Sequence, residues 1–217
     1  MKHFAASSAV LLFFALSACV QTSVPPSGGE QAQAPSYSEA SSWKYRVVHR
    51  TYSGVWKSNL VNGEFEVAVR NGEPKIFEPN SGKAVEITAD PNPLAVLVPT
   101  EAVARAQPQY FNFPLWVGKD WHGTEFWNHK WRGTHSWITG MENVVTPAGT
   151  FSAYRIERDI RIFVGIRNFY RNEVYFYSPQ TRSVVKYDSS EEMKDLVGDQ
   201  RYGVQETFAI ELVDFKN

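Results

Sequence analysis

Residues 64–70 read Glu-Phe-Glu-Val-Ala-Val-Arg. In an extended chain Phe65, Val67 and Val69 face one way and Glu64, Glu66, Ala68 and Arg70 the other, an order that a helical period would break. Asn62-Gly63 and Asn71-Gly72 bracket this stretch, and Asn-Gly accepts the positive φ angles that a two-residue type I′ turn demands. A chain written this way must bury one face of an antiparallel sheet. The same grammar marks strands at 45–52, 55–61, 64–70 and 75–77, with a fifth at 84–88 after Asn80-Ser81-Gly82.

The second half repeats the pattern at greater length. Tyr154, Ile156, Ile160 and Ile162 share one face, with Arg155, Glu157, Asp159 and Arg161 on the other, and Val204, Phe208, Ile210 and Leu212 form the apolar side of a last strand. Val144-Val145 runs into Thr146-Pro147-Ala148-Gly149-Thr150. Proline there presets a turn's φ and glycine relieves its close, so a hairpin is expected. A Pro-rich loop at 90–93 separates the two halves. Residues 100–107 are the one helical stretch, since Thr100 caps a run of good helix formers and Pro108 ends it. The expected fold class is mainly β: an antiparallel bent sheet, half-barrel or barrel with one short helix.

The N-terminus obeys a different rule. Lys2 precedes an apolar run, 4–16, that holds no Asp, Glu, Lys or Arg. It is too short to span a bilayer, which takes roughly 20 residues, and it matches the hydrophobic region of a secretory signal. Leu16-Ser17-Ala18-Cys19 closes it and resembles a lipobox, the motif at which a bacterial prolipoprotein is cut before an acylated cysteine. The resemblance implies a signal peptide at 1–18, lipid attachment at Cys19 and a membrane partner through that lipid. Val20 stands where an Asp would mark inner-membrane retention, so an outer-membrane anchor facing the periplasm is the expectation. Cys19 is the only cysteine, so its acylation leaves no thiol and no disulfide, and stability must come from an ordinary core.

Residues 19–42 are rich in Ser, Pro, Gly, Gln and Ala, with Glu30 and Glu39 as the only charges, and read as the lipidated end and a disordered tether. That leaves 43–217 as a single β-rich domain. With 22 basic against 23 acidic residues, the chain has no electrostatic reason to bind nucleic acid.

Four fragments carry a family resemblance: Phe113-Pro114-Leu115 with Val117-Gly118-Lys119 and Trp121; 145–151; Tyr177-Ser178-Pro179; and Val184-Val185-Lys186-Tyr187. In this order they resemble the TapB-like envelope proteins of Gram-negative bacteria, over the C-terminal half only. That group is similar in shape to the LolA and LolB carriers, whose curved sheet partly encloses a greasy cavity. The resemblance implies no catalytic residues.

Candidate chemistry is sparse. His122, His129 and His135 lack the tight helical or knuckle spacing of most zinc sites. Counted along one strand, His129 and His135 share a face and His122 does not, so surface histidines without a metal are the expectation. Ser136 beside His135 lacks an orienting acid and an oxyanion site, and Asp120, Glu125 and Glu142 are carboxylates without a distinguishing pattern. No catalytic residue and no cofactor is expected. Five of the seven tryptophans, Trp116, Trp121, Trp127, Trp131 and Trp137, fall within 22 residues, interleaved with Lys119, Lys130 and Arg132. They read either as the core of a curved sheet or as an aromatic wall that contacts an acyl chain, a sugar or an apolar partner. The expected function is therefore a non-enzymatic binding module for a hydrophobic ligand or a partner protein. A structural subunit of an envelope complex is the alternative, and a hydrolase acting on envelope sugars or lipids comes third.

Overall fold

A computed structural model describes residues 25, 29–51, 63–77, 96–99, 110–127, 130–164, 167–195 and 201–217. They form nine strands: β1 (Ser42–Thr51), β2 (Gly63–Arg70), β3 (Glu73–Phe77), β4 (Asp120–Trp127), β5 (Lys130–Thr146), β6 (Gly149–Val164), β7 (Arg167–Ser178), β8 (Ser183–Asp195) and β9 (Arg201–Lys216). All belong to one sheet in the order β3-β2-β1-β9-β8-β7-β6-β5-β4, every pairing antiparallel. The mainly β, antiparallel expectation holds. The sheet stays open, with β3 and β4 at its edges, so the barrel version of that expectation does not.

Turn chemistry sets two of the hairpins that the sequence implied, while at the expected Asn62-Gly63 turn Asn62 lies outside the described residues and Gly63 opens β2 opposite Val47. Asn71 and Gly72 both have positive φ, 55° and 78°, the type I′ geometry that lets β2 run directly into β3. Pro147-Ala148 links β5 to β6. At the β7–β8 turn the left-handed position falls to Arg182, with φ 55°. Strands of 12 to 17 residues far exceed the usual length of about five or six. Register shifts interrupt them at 138/140, 176/177 and 191/192, and an extra residue at such a bulge bends a strand.

Period two sorts the side chains onto two faces. The row Val47–Ile210–Tyr187–Tyr175–Ile156–Ile138 runs directly opposite, residue to residue, from β1 to β5 on the inner face. Each of its members is buried. Trp43, Tyr45, Tyr154, Tyr177 and Trp121 extend this core, and each large side chain fully removed from water contributes about 1.5–3 kcal/mol. Two segments of the chain lie over it. Leu97, Phe111 and Leu115 are each no more than 1% exposed, and Val184 N donates to Leu97 O at 2.8 Å. Tyr175 Oη donates to Tyr110 O at 2.6 Å.

Part of the expected tether is packed rather than free. Ala32 and Leu115 exchange backbone hydrogen bonds of 2.9 and 2.8 Å. Tyr37 Oη contacts Pro99 O and Arg182 O at 2.7 and 2.8 Å, and its ring meets Trp43 edge-on at 5.1 Å. Composition hid this, because the anchoring is done chiefly by backbone groups, by Tyr37 and by the Glu39 carboxylate, which accepts from Asn71 N and Gly72 N at 3.2 and 2.7 Å. The strands expected at 55–61 and 84–88, and the helix expected at 100–107, lie outside the described residues.

Candidate functional site

Along the inner face the row beyond the aromatic core changes character. Two residues further on each strand it reads His49–Phe208–Ser189–Glu173–Arg158–Ser136–Trp121, and two further still Thr51–Glu206–Glu191–Arg171–Ile160–Thr134. Charges here are buried in pairs. Arg158 Nη1 donates to Glu173 Oε2 at 3.0 Å, with side chains 3% and 1% exposed. Tyr187 Oη donates to Glu173 Oε1 at 3.0 Å, and the Arg158 guanidinium lies 4.0 Å from the Tyr110 ring centre. Arg171 Nη2 bridges Glu191 Oε2 at 2.8 Å and Glu206 Oε2 at 3.1 Å. His49 Nε2 meets Glu206 Oε1 at 2.8 Å and stacks on Phe208 at 4.2 Å. Burial pushes the Glu191 carboxyl above the ordinary carboxylate range, against the opposing pull of Arg171. With guanidiniums and carboxylates facing one another, this belt is a cross-strand framework. Sequence reading passed over it, although Arg158, Arg171, Glu173, Glu191 and Glu206 all fall in phase with apolar neighbours, and a charge in phase with a buried face is the signal.

Trp116, Trp121 and Trp137, the described side chains of the cluster, do not converge. Trp121 packs in the inner core and Trp116 is buried beneath Lys119, whose ammonium sits 4.2 Å from the Trp116 ring centre. Trp137 lies on the opposite face, tilted against His135 at 4.8 Å. The backbone pairs Trp127 with Lys130 and Trp131 with Phe126 and Phe163; their side chains lie outside the described residues. Lys119 Nζ donates to the carbonyls of Pro114, at 2.8 Å, and Asn112. Burial pushes its ammonium down from the usual 10.5 to about 8.

Among the described residues the outer face shows two hollows. One, of about 570 Å³, crosses β1, β9, β8 and β7 over Val48, Ala209, Asp188 and Val174, with Arg50 beside them. Val48 is 38% exposed, and burial raises the Asp188 carboxyl despite Lys186 at 3.8 Å. The other, of about 370 Å³, lies over β4, β5 and β6 at His122, Gly133, His135, Asp159 and Phe163.

Here the structure corrects the sequence reading of the histidines. His122 and His135 are direct cross-strand partners on one face, their rings stacked 4.1 Å apart at 10°. Counting parity through 122–135 as one strand failed because the chain reverses between Trp127 and Lys130. Across a two-residue hairpin an odd spacing is what brings residues opposite each other. His129 lies outside the described residues. Ser136, adjacent to His135, points to the inner face and is buried, so the two cannot form a nucleophile–base pair. Glu142 lies 3.6 Å from Arg155, and the Glu125 side chain lies outside the described residues.

No protein-family model matches the chain, and no curated protein matches it in sequence. Among solved structures, a candidate exported protein of Bacteroides fragilis with a YmcC-like fold is similar at 10% identity and a TM-score of 0.32, over 86% of this chain and 100% of that one.

Proposed function

We propose that this is a lipid-anchored protein of the bacterial envelope, held in the outer membrane through acylated Cys19, facing the periplasm and acting without catalysis as a binding module for a partner protein. The observation that carries the reading is a contrast between faces. Among the described residues the inner face is occupied by the chain's own Leu97, Phe111 and Leu115, while the outer face keeps a groove of about 570 Å³. A greasy cavity of the carrier type has no room where Leu97, Phe111 and Leu115 lie, so recognition falls to the outside. The groove's mixture of Val48, Val174 and Ala209 with Arg50 and Asp188 suits a polypeptide, which offers apolar side chains and both signs of charge. Resemblance to the TapB-like group and the Leu16–Cys19 motif support the envelope setting.

A small apolar ligand is the second reading, favoured by the three aliphatic side chains in the groove. Site-specific photo-crosslinking in cells, from position 209 in the groove and from exposed Val145 as a control, separates the readings. A discrete protein adduct from 209 alone is expected. A lipid adduct in its place transfers the proposal to the second reading, and equal capture at both positions sinks both. For the anchor, Cys19→Ser is expected to abolish labelling by a fatty-acid analogue; labelling that persists overturns it.

A further inference from the structure

We propose that Asp120, His122 and His135 form a zinc-binding site with two imidazole nitrogens, one carboxylate oxygen and an open coordination position. His122 Nε2 and His135 Nε2 lie 3.9 and 3.8 Å from the same atom, Asp120 Oδ2, and the three candidate ligand atoms all lie within 4.8 Å of one another. These separations decide between two uses of the cluster. A charge-assisted hydrogen bond between imidazolium and carboxylate closes to about 2.7–2.9 Å. Three donors around a tetrahedral zinc at about 2.0–2.2 Å each stand roughly 3.3 Å apart. The two gaps to Asp120, 3.9 and 3.8 Å, are too wide for the first and lie near the second, while all three donors stay within 4.8 Å, a spread that rotation of the half-exposed side chains must close.

The backbone prepares the site. His122 and His135 stand directly opposite on β4 and β5, so paired backbones carry both ligands, which holds them more tightly than loop positions do. The next outer-face row pairs Thr124 with Gly133, and a Cβ built at Gly133 meets nothing within 4 Å. That gap opens into the hollow of about 370 Å³, leaving room for a water or an exogenous ligand in the fourth position. On the other side of His135, Asp159 of β6 is its direct cross-strand partner and lines the same hollow, which adds a second carboxylate beside the site. The donor set is N₂O without thiolate, which suits zinc and other late first-row cations. With its ligands 42–65% exposed, the site belongs among the exchangeable ones.

The test uses the untagged full chain in detergent, titrated calorimetrically with zinc chloride and, as a spectroscopic probe, with cobalt(II). One equivalent of zinc per chain is expected, with visible cobalt bands of tetrahedral intensity. His122→Ala and His135→Ala should each weaken zinc binding by at least the ~10- to 100-fold that loss of even an outer partner brings. Their circular dichroism should be unchanged, since both side chains are exposed. Asp120→Asn should weaken zinc binding and shift the cobalt bands. No stoichiometric zinc, or equal affinity in wild type and the His122→Ala/His135→Ala double variant, overturns the proposal.

Discussion

The inner face of this sheet can be compared with itself, four residues along. At one end the row from Val47 to Ile138 is a wall of aliphatic and tyrosine side chains under a lid of Leu97 and Phe111. About 13 Å further along the same strands, the row from Thr51 to Thr134 buries Arg171 between Glu191 and Glu206, and the row between them buries Arg158 against Glu173. Both ends are dry, yet they carry different information. Apolar alternation tells a strand which face to bury, and a slip of two residues leaves that answer unchanged. Arg158 opposite Glu173 and Arg171 opposite Glu191 are register partners, and a two-residue slip of β7 against β6 sets Arg158 against Arg171 or Tyr175. The aromatic end supplies stability and the charged end supplies register.

Three variants probe that division. Trp43 is fully buried and its Nε1 donates to Thr181 O at 2.8 Å, so Trp43→Ala should cost about 3–5 kcal/mol by denaturant unfolding. A loss below about 1 kcal/mol would remove the aromatic end from its role. Glu173→Leu alone leaves Arg158 buried without its carboxylate and should cost about 3 kcal/mol or more. Adding Arg158→Met and Tyr187→Phe removes the stranded partners, so the triple variant should return to within about 1.5 kcal/mol of wild type. Its amide exchange across β6 and β7 should nevertheless become faster or heterogeneous; wild-type protection in the triple variant breaks the register argument.

The smallest effect tests the aromatic end's own charge. Lys119, pushed by burial from the usual 10.5 to about 8, loses its proton earlier in the folded chain than in the unfolded one. Between about pH 8 and 10 the unfolded state therefore holds the extra proton, and this lysine's contribution to stability rises with pH across that window. Urea midpoints measured at both ends of the window should climb in wild type and stay flat in Lys119→Met. An equal climb in both assigns the effect elsewhere.

Local chemistry was the readable part of this molecule. The alternation at 64–70 and the Asn71-Gly72 turn announced β2 and β3, and the split of Tyr154, Ile156, Ile160 and Ile162 from Arg155, Glu157, Asp159 and Arg161 is the observed division of faces on β6. What stayed hidden depends on pairing between strands. Arg158 looks like one more polar residue until Glu173 is known to stand opposite it. His122 and His135 come together only once the reversal between Trp127 and Lys130 is known. Closeness in sequence likewise did not give the faces of the tryptophans, since Trp121 packs in the inner core and Trp137 lies on the outer face of the same sheet.

The position of β9 between β1 and β8 also has a kinetic meaning. Strands β1 to β3 and strands β4 to β8 are each chains of neighbours in sequence, and among the described strands β9 alone joins the two groups. Arg46 and Glu211 meet at 3.1 Å across a sequence separation of 165 residues. Closing so large a loop must precede any reward from the contacts it makes, which places the union of the two groups late and slow in folding. Until the last sixteen-residue strand is laid in place, β1 and β8 both present open edges of the kind through which chains mispair with one another. The C-terminal strand thus acts as the clasp of the whole sheet, and a chain cut before it would be left as two incomplete sheets.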